Sequence, residues 1–248
     1  MSDVSLYVTT PHVNIGTMSQ RSAPAAPVPP PGPARRTYRG ESLEHRRAAR
    51  REQLIAAGIE CFGRQGFHQS SVRAVCAEAG LTERYFYESF AHSEALLIAV
   101  YDHLTGQLQA ATQAALAKAG KAPEAMARAT LEVYFRLNED PRFARITLFE
   151  ILGVSSEVDA RYRHCMQVYA RLIASILLAA APRSSAQAPR IPLIAMGLVG
   201  AVVQIAMQWV LSGYQGRRRT AVDSALTIFT AVLRQQNVNL PAKKTTLR

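Results

Sequence analysis

Cysteine is scarce in this chain. Three thiols, Cys61, Cys76 and Cys165, stand far apart in 248 residues. An odd number with no C-x-x-C pair gives neither a disulfide framework nor a cysteine-based zinc site, and it fits a reduced compartment. The start of a secretory leader, a basic stretch followed by a continuous apolar run, is also missing. No convincing β alternation and no internal repeat occurs. A nucleophile elbow, a metal-ligand pair, a phosphate loop and a dinucleotide fingerprint are all absent, so the chain is not read as an enzyme and no cofactor is expected. His103 and His164 have no ligating companion in the sequence, and no metal is expected. Acidic residues are the minority, 18 against 29 Lys and Arg, for a net charge of +11. That imbalance favours a polyanionic partner, either nucleic acid or an anionic membrane surface.

What is present is mostly helix. Residues 1–43 are rich in Pro, Ala, Ser and Thr, with Pro29-Pro30-Pro31-Gly32-Pro33 at their centre. Proline fixes φ and removes backbone donors, which predicts an extended, disordered tail. Nothing before Met18 carries a structural pattern, so Met18 is a candidate start. Arg35, Arg36 and Arg39 close the tail, either as a solvated linker or as a basic arm on DNA. Helix-favouring stretches then alternate with short Gly, Pro, Ser or Asp/Asn breaks. They predict helices near 44–65, 71–79, 82–89, 93–118, 123–138, 141–152, 155–181, 191–213 and 217–236. Residues 237–248 form a frayed basic tail. The fold class is all-α. A three-helix domain with a helix-turn-helix spans 44–92, and a larger helical domain spans 93–236.

The helix-turn-helix follows from local chemistry. Leu54, Ile55, Gly58, Ile59 and Phe62 make one apolar stripe. Gly66 can close the helix in the left-handed region, with Phe67 lying over Phe62 as in a Schellman ending. Ser70 or Ser71 caps the second helix, whose stripe is Val72, Val75, Cys76 and Ala79 before Gly80-Leu81. Thr82 caps the third helix, and Leu81 and Phe86 occupy the positions of a hydrophobic staple. Phe86 and Phe90 face inward, which leaves Glu83, Arg84, Tyr85, Tyr87 and Glu88 outward, as a major-groove reader requires. Arg46, Arg47, Arg50 and Arg51 cluster where the helix dipole disfavours cations, and Arg73 lies in the second helix. These are candidate phosphate contacts.

With those marks in place, Arg50–Tyr101 resembles the N-terminal domain of the TetR-type (tetracycline-repressor-like, TetR/AcrR) bacterial transcriptional regulators. The resemblance rests on Phe62-x-x-x-Gly66-Phe67, Ser70-Ser71-Val72-Arg73, Ala77-Glu78-Ala79-Gly80-Leu81, Tyr87-x-x-Phe90 and Glu94-Ala95-Leu96-Leu97, in order and at family spacing. It implies a cytoplasmic homodimer on the nucleoid. Such a dimer binds a palindromic double-stranded DNA operator and leaves it when a small-molecule effector enters the C-terminal domain. It further implies that Ser71, Arg73 and Tyr87 contact phosphate and that Thr82, Arg84 and Tyr85 lie near bases. Two positions depart from the family. Ser93 stands where Lys is usual, with His92 beside it as a substitute contact. Arg84 and Tyr85 replace small residues, which makes the reading surface bulkier.

Beyond residue 101 the sequence shows helices and core. Tyr101, Tyr134, Phe149, Met166, Tyr169 and Met207 are candidate walls of an apolar ligand cavity, and ordinary core residues would look the same. Ile191–Leu211 is nearly uncharged and long enough to span a membrane, which leaves a basic membrane-associated protein as the alternative. Gln204 and Gln208 one turn apart, with Gly197 and Gly200, fit a helix–helix seam better. Residues 191–236 are therefore the expected dimer interface, and no stable membrane association is expected.

Overall fold

The computed structural model describes residues 43–180 and 190–238. The Pro/Ala-rich tail with its arginines lies outside these residues except for Leu43, and so does most of the basic C-terminal tail. The described residues are helical throughout, in the order α1 (Leu43–Gln65), α2 (Val72–Ala79), α3 (Glu83–Ser89), α4 (Ser93–Lys118), α5 (Pro123–Leu137), α6 (Pro141–Arg145), a π-helical turn (Ile146–Glu150), α7 (Ser156–Ala180), α8 (Ile191–Leu211) and α9 (Arg218–Val238). Most ends fall within a residue or two of the sequence expectation.

Helix endings show how local chemistry sets the first three helices. Gly80 sits at φ 65°, with its N–H on the Ala77 carbonyl and the Leu81 N–H on that of Cys76, a complete Schellman ending. Gly66, at φ 94°, closes α1 differently. Its own N–H reaches the Phe62 carbonyl at 3.0 Å, and the Phe62 and Phe67 rings meet edge to face at 5.4 Å. The Phe67 N–H, which a Schellman ending would turn back on the helix, instead donates to Glu150 at 2.8 Å. Of the two candidate caps for α2, Ser71 accepts from the Ala74 N–H at 3.1 Å, whereas Ser70 is buried and donates to the Gly66 carbonyl. Thr82 holds the N-cap position of α3 but makes no side-chain cap bond.

The core runs without interruption from the helix-turn-helix into the larger domain. Phe62 and Phe86 are fully buried, and Leu54, Val75 and Phe90 join Leu96–Tyr101 of α4 and, beyond it, Val133, Phe143, Ile146 and Ile151. Every residue from Leu96 to Tyr101 is buried, as a helix flanked on all sides must be. At Gly63 the backbones of α1 and α6 touch: an added Cβ would lie 2.4 Å from Arg142 Cβ and 2.8 Å from its Cα. Replacing Gly by Ala in an exposed helix stabilises by about 0.5–1 kcal/mol. Gly63→Ala should do the reverse and destabilise by roughly 1–3 kcal/mol, because a backbone atom has to move. A lower urea midpoint at unchanged m checks this, and an unchanged or higher midpoint contradicts it.

The single helix expected over 141–152 is instead α6 followed by the π turn. Thr147 donates to the Phe143 carbonyl four residues back at 2.8 Å, a side-chain bond that competes with the helix's own ladder. The wider turn brings Arg145 and Glu150, five residues apart, to 2.8 Å.

Candidate nucleic-acid interface and ligand cavity

Helix α3 presents its polar face outward. Glu83, Arg84 and Tyr87 are exposed and Tyr85 is half-buried. Thr82, whose hydroxyl is not used for capping, lies exposed at the helix start, and Ser71 and Arg73 of the preceding segment are exposed as well. Behind this face the arginines of α1 do more than solvate a helix end. Arg50 is only 20% exposed at its side chain. Its guanidinium stacks over the Tyr85 ring at 4.4 Å and pairs with Glu88 at 3.7 Å. Arg47 donates to the Glu88 carbonyl at 2.6 Å, and Arg51 lies over the Phe90 ring at 5.0 Å. Glu88 is thus the hub that fastens α3 to α1, a role not foreseen from sequence although Arg84 four residues before it is a readable pairing signal. Arg84 Nε meets Glu88 at 3.2 Å with its side chain 85% exposed. Such a pair is worth only a few tenths of a kcal/mol, so it holds Arg84 only weakly. Arg46 and His92 are exposed. His92 caps α4, its Nδ1 accepting from the Ala95 N–H at 3.2 Å, which leaves Nε2 facing outward.

A second network joins this domain to α6 and the π turn. Glu150 accepts from the Phe67 N–H and from Arg145, and Arg145 also donates to the Arg64 carbonyl at 2.9 Å. One turn earlier Arg142 bridges Glu60 of α1 and Asp140, the cap of α6. The Arg142 guanidinium holds the Asp140 carboxyl below its ordinary range. These contacts link residues about eighty apart in sequence and carry no local signature.

On the other side of the π turn lies a cavity of about 110 Å³. Its wall is drawn from α4 to α9. Tyr101, Tyr134, Met166 and Tyr169 line it, as do Thr147 and Leu148 of the π turn. Phe149 and Met207 do not: both pack against the adjoining apolar cluster that includes Phe135, Trp209 and Val222. Phe149 points away because a wider turn rotates it off the face that α-helical spacing predicts. Tyr162 and Cys165 were not singled out as wall residues from sequence, yet both are. Their signal was available, since 162, 165, 166 and 169 fall on one face of α7. Burial pushes the Cys165 thiol up, so it is a poor nucleophile.

Helix α8 is, among the described residues, the one long and apolar enough to cross a membrane by length and composition. Ala195, Leu198, Val199, Ala206 and Trp209 are buried. Leu193, Gly197, Gly200, Gln204, Gln208 and Leu211 form an exposed stripe at spacings of three and four. On α9, Thr220, Ser224, Thr227 and Ala231 are exposed at similar spacing.

Residues 54–100 match the family of bacterial regulatory proteins described as the tetR family. A curated relative, the fatty acid metabolism regulator protein of Bacillus subtilis (strain 168), is 24% identical over 125 residues, which cover 50% of this chain and 64% of that protein's length. Among solved structures, the fatty acid degradation regulator FadR of Bacillus halodurans superposes with a TM-score of 0.65 at 18% identity, over 75% of this chain and 96% of the other. FadR of Bacillus subtilis, solved with stearoyl-CoA, gives 0.63 at 18% identity over 72% and 96%. A TetR-like transcriptional regulator of a Rhodococcus species gives 0.59 at 22% identity over 75% and 97%. At these identities the structural likeness speaks for the fold. What the family match covers is the helix-turn-helix: residues 54–100, with the capped and glycine-ended helices and aromatic core described above, are similar to the DNA-binding domain of the tetR family.

Proposed function

We propose that this chain binds a two-fold-symmetric DNA operator as a homodimer, represses from it, and lets go when an apolar ligand fills the cavity. One observation carries the reading. The π turn puts Thr147 and Leu148 on the cavity wall and Glu150, two residues on, on the turn that ends α1. Anything that displaces the wall pulls on the frame of the reading helix. The ligand acts by population shift, limited to its differential affinity for the two states, typically ~1–3 kcal/mol and reciprocal with operator binding. A wall with no charged side chain among the described residues suits a hydrocarbon or acyl chain. The relative solved with stearoyl-CoA supports that class. Such a protein works in the cytoplasm, on the nucleoid.

Dimerisation is assigned to residues 191–236. The exposed α8 stripe centres on Gly197 and Gly200, where an added Cβ would meet nothing within 4 Å. Two glycines let a partner helix approach closely, and the flanking glutamines suit a helix seam rather than lipid. Two reading helices then address major grooves roughly 34–36 Å apart or a multiple of it.

Within the interface, Arg46, Arg47, Arg51, Ser71, Arg73, Tyr87 and His92 serve the phosphates, Thr82, Arg84 and Tyr85 face the bases, and Arg50 positions Tyr85. Arg73→Ala should weaken all DNA sequences alike and lower the slope of log affinity against log salt by about 1. Arg84→Ala should change sequence preference, at roughly 1–3 kcal/mol if its contact is bidentate. Salt-series titrations on operator and random DNA separate the two. Equal losses on both for Arg84→Ala remove it from the base readers, and a footprint without two-fold symmetry removes the dimer.

A further inference from the structure

The cavity is apolar but not featureless. Among the described residues, no Asp, Glu, Lys, Arg or His lines it. Its three threonines are spent locally: Thr105 donates to the Tyr101 carbonyl, Thr130 to that of Met126 and Thr147 to that of Phe143. The phenols are different. The hydroxyls of Tyr134 and Tyr169 are buried and, among the described residues, neither forms an aligned hydrogen bond, although the Asn138 side chain lies close to that of Tyr134. Thr112, buried next to Tyr169, is likewise unpartnered, the two hydroxyls being near each other without forming an aligned bond. Tyr134 lies within electrostatic reach of Tyr162, Cys165 and Tyr169, so these groups from α5 and α7 converge on one region of the wall. Burial raises the Tyr134 phenol far above its ordinary range and that of Tyr169 to about 12, so both are neutral donors near neutral pH. A buried hydroxyl left unpaired destabilises a fold, and most such groups in native proteins find a partner. Two unpaired hydroxyls in an otherwise apolar wall mark where a ligand's polar atom belongs.

Resting on the reading of this cavity as the effector site, we infer that the buried part of the effector is an uncharged chain carrying an oxygen acceptor, received by the phenols of Tyr134 and Tyr169. A plain hydrocarbon leaves both donors unpaired. A carboxylate brings a charge into a wall with no cation to meet it. The acceptor has two chemical sources. One is a carbonyl at the chain end, as in an ester or thioester. The other is an oxygen within the chain, as in a ketone.

Four probes of matched length separate these cases on the full chain: methyl decanoate, the mid-chain ketone, the corresponding alkene and decanoate at pH 8. Each is scored by displacement of an apolar fluorophore from wild type and from Tyr134→Phe/Tyr169→Phe. The affinity of the favoured carbonyl probe relative to the alkene should fall roughly tenfold in the double variant, the size of one well-made buried hydrogen bond. Whichever carbonyl probe shows that fall identifies the source. The unliganded double variant should melt no lower than wild type, since it loses only unpaired hydroxyls. If the carbonyl-to-alkene ratio is the same in both proteins, the phenols select nothing and the inference is overturned while the cavity reading stands. The same holds if decanoate binds tightest, or if the double variant melts well below wild type. If no probe displaces the fluorophore, the cavity is not an effector site and both readings fall.

Discussion

Gly200→Glu should leave the chain folded, make it monomeric and lower operator affinity at least about a hundredfold. Each part has its own cause. Gly200 is exposed at the centre of the α8 stripe, and a side chain there meets nothing within 4 Å in its own chain. Within a helix the change from Gly to Glu is favourable by about 0.5–1 kcal/mol, so the isolated subunit does not suffer. Across a dimer seam the same carboxylate is held against an identical one on the two-fold axis, desolvated and without a cation. Losing the dimer turns a two-handed grip into one hand, and linked sites gain on the order of 10²–10⁴ over single ones. Light scattering gives the oligomeric state, circular dichroism the fold and titration the affinity. A stable dimer from Gly200→Glu would place the interface elsewhere, and a monomer with full operator affinity would mean that DNA binding does not need two subunits.

Glu150→Ala should destabilise the protein by about 3 kcal/mol and uncouple ligand from operator. The Glu150 carboxylate is 15% exposed and holds two donors, the Phe67 N–H and Arg145. Its removal leaves a buried backbone donor and a cation unpaired, and hydrogen bonds to charged groups contribute roughly 1.5–3 kcal/mol each. Arg145 is 38% exposed, so water recovers part of its share. Functionally, the variant loses the link between the cavity wall at Thr147 and Leu148 and the turn at Gly66–Phe67. Effector should still bind, yet operator affinity should be the same with and without it. Denaturant midpoints test the first claim, and operator titrations with and without ligand test the second. A variant of wild-type coupling would show that the signal reaches α3 through the α1–α4 core instead.

Much of this molecule is legible without coordinates, for a specific reason. The helix-turn-helix is written in short-range chemistry. Glycine at a left-handed position, a serine cap three residues before the N–H it accepts from, and aromatic residues four apart all act within one turn of chain. So the left-handed Gly66 and Gly80, the ending at Gly80, a serine cap at Ser70 or Ser71 and the inward pair Phe86 and Phe90 could be read from neighbours in the sequence, while the choice of Ser71 and the form of the Gly66 ending could not. The long helices were equally readable, because burial on one face repeats at 3.6 residues.

Where the reading failed, a distant atom had intervened. The Phe67 N–H looked destined for its own helix, and Glu150 took it from 83 residues away. Nothing local announced that Arg50 stacks on the Tyr85 ring and pairs with Glu88. Phe149 and Met207 looked like cavity walls at α-helical spacing, and the π turn and the Trp209 cluster placed them elsewhere. The sequence by itself therefore determined an all-α fold, its helices and a helix-turn-helix similar to that of the tetR family, because caps, breaks and amphipathic periods are local. Only the tertiary structure decided which large side chains enclose a cavity, which phenols are left without aligned partners inside it, and how its wall is tied to the turn that ends α1. Those depend on which faces of separate helices meet, and that is set by packing among elements far apart in the chain.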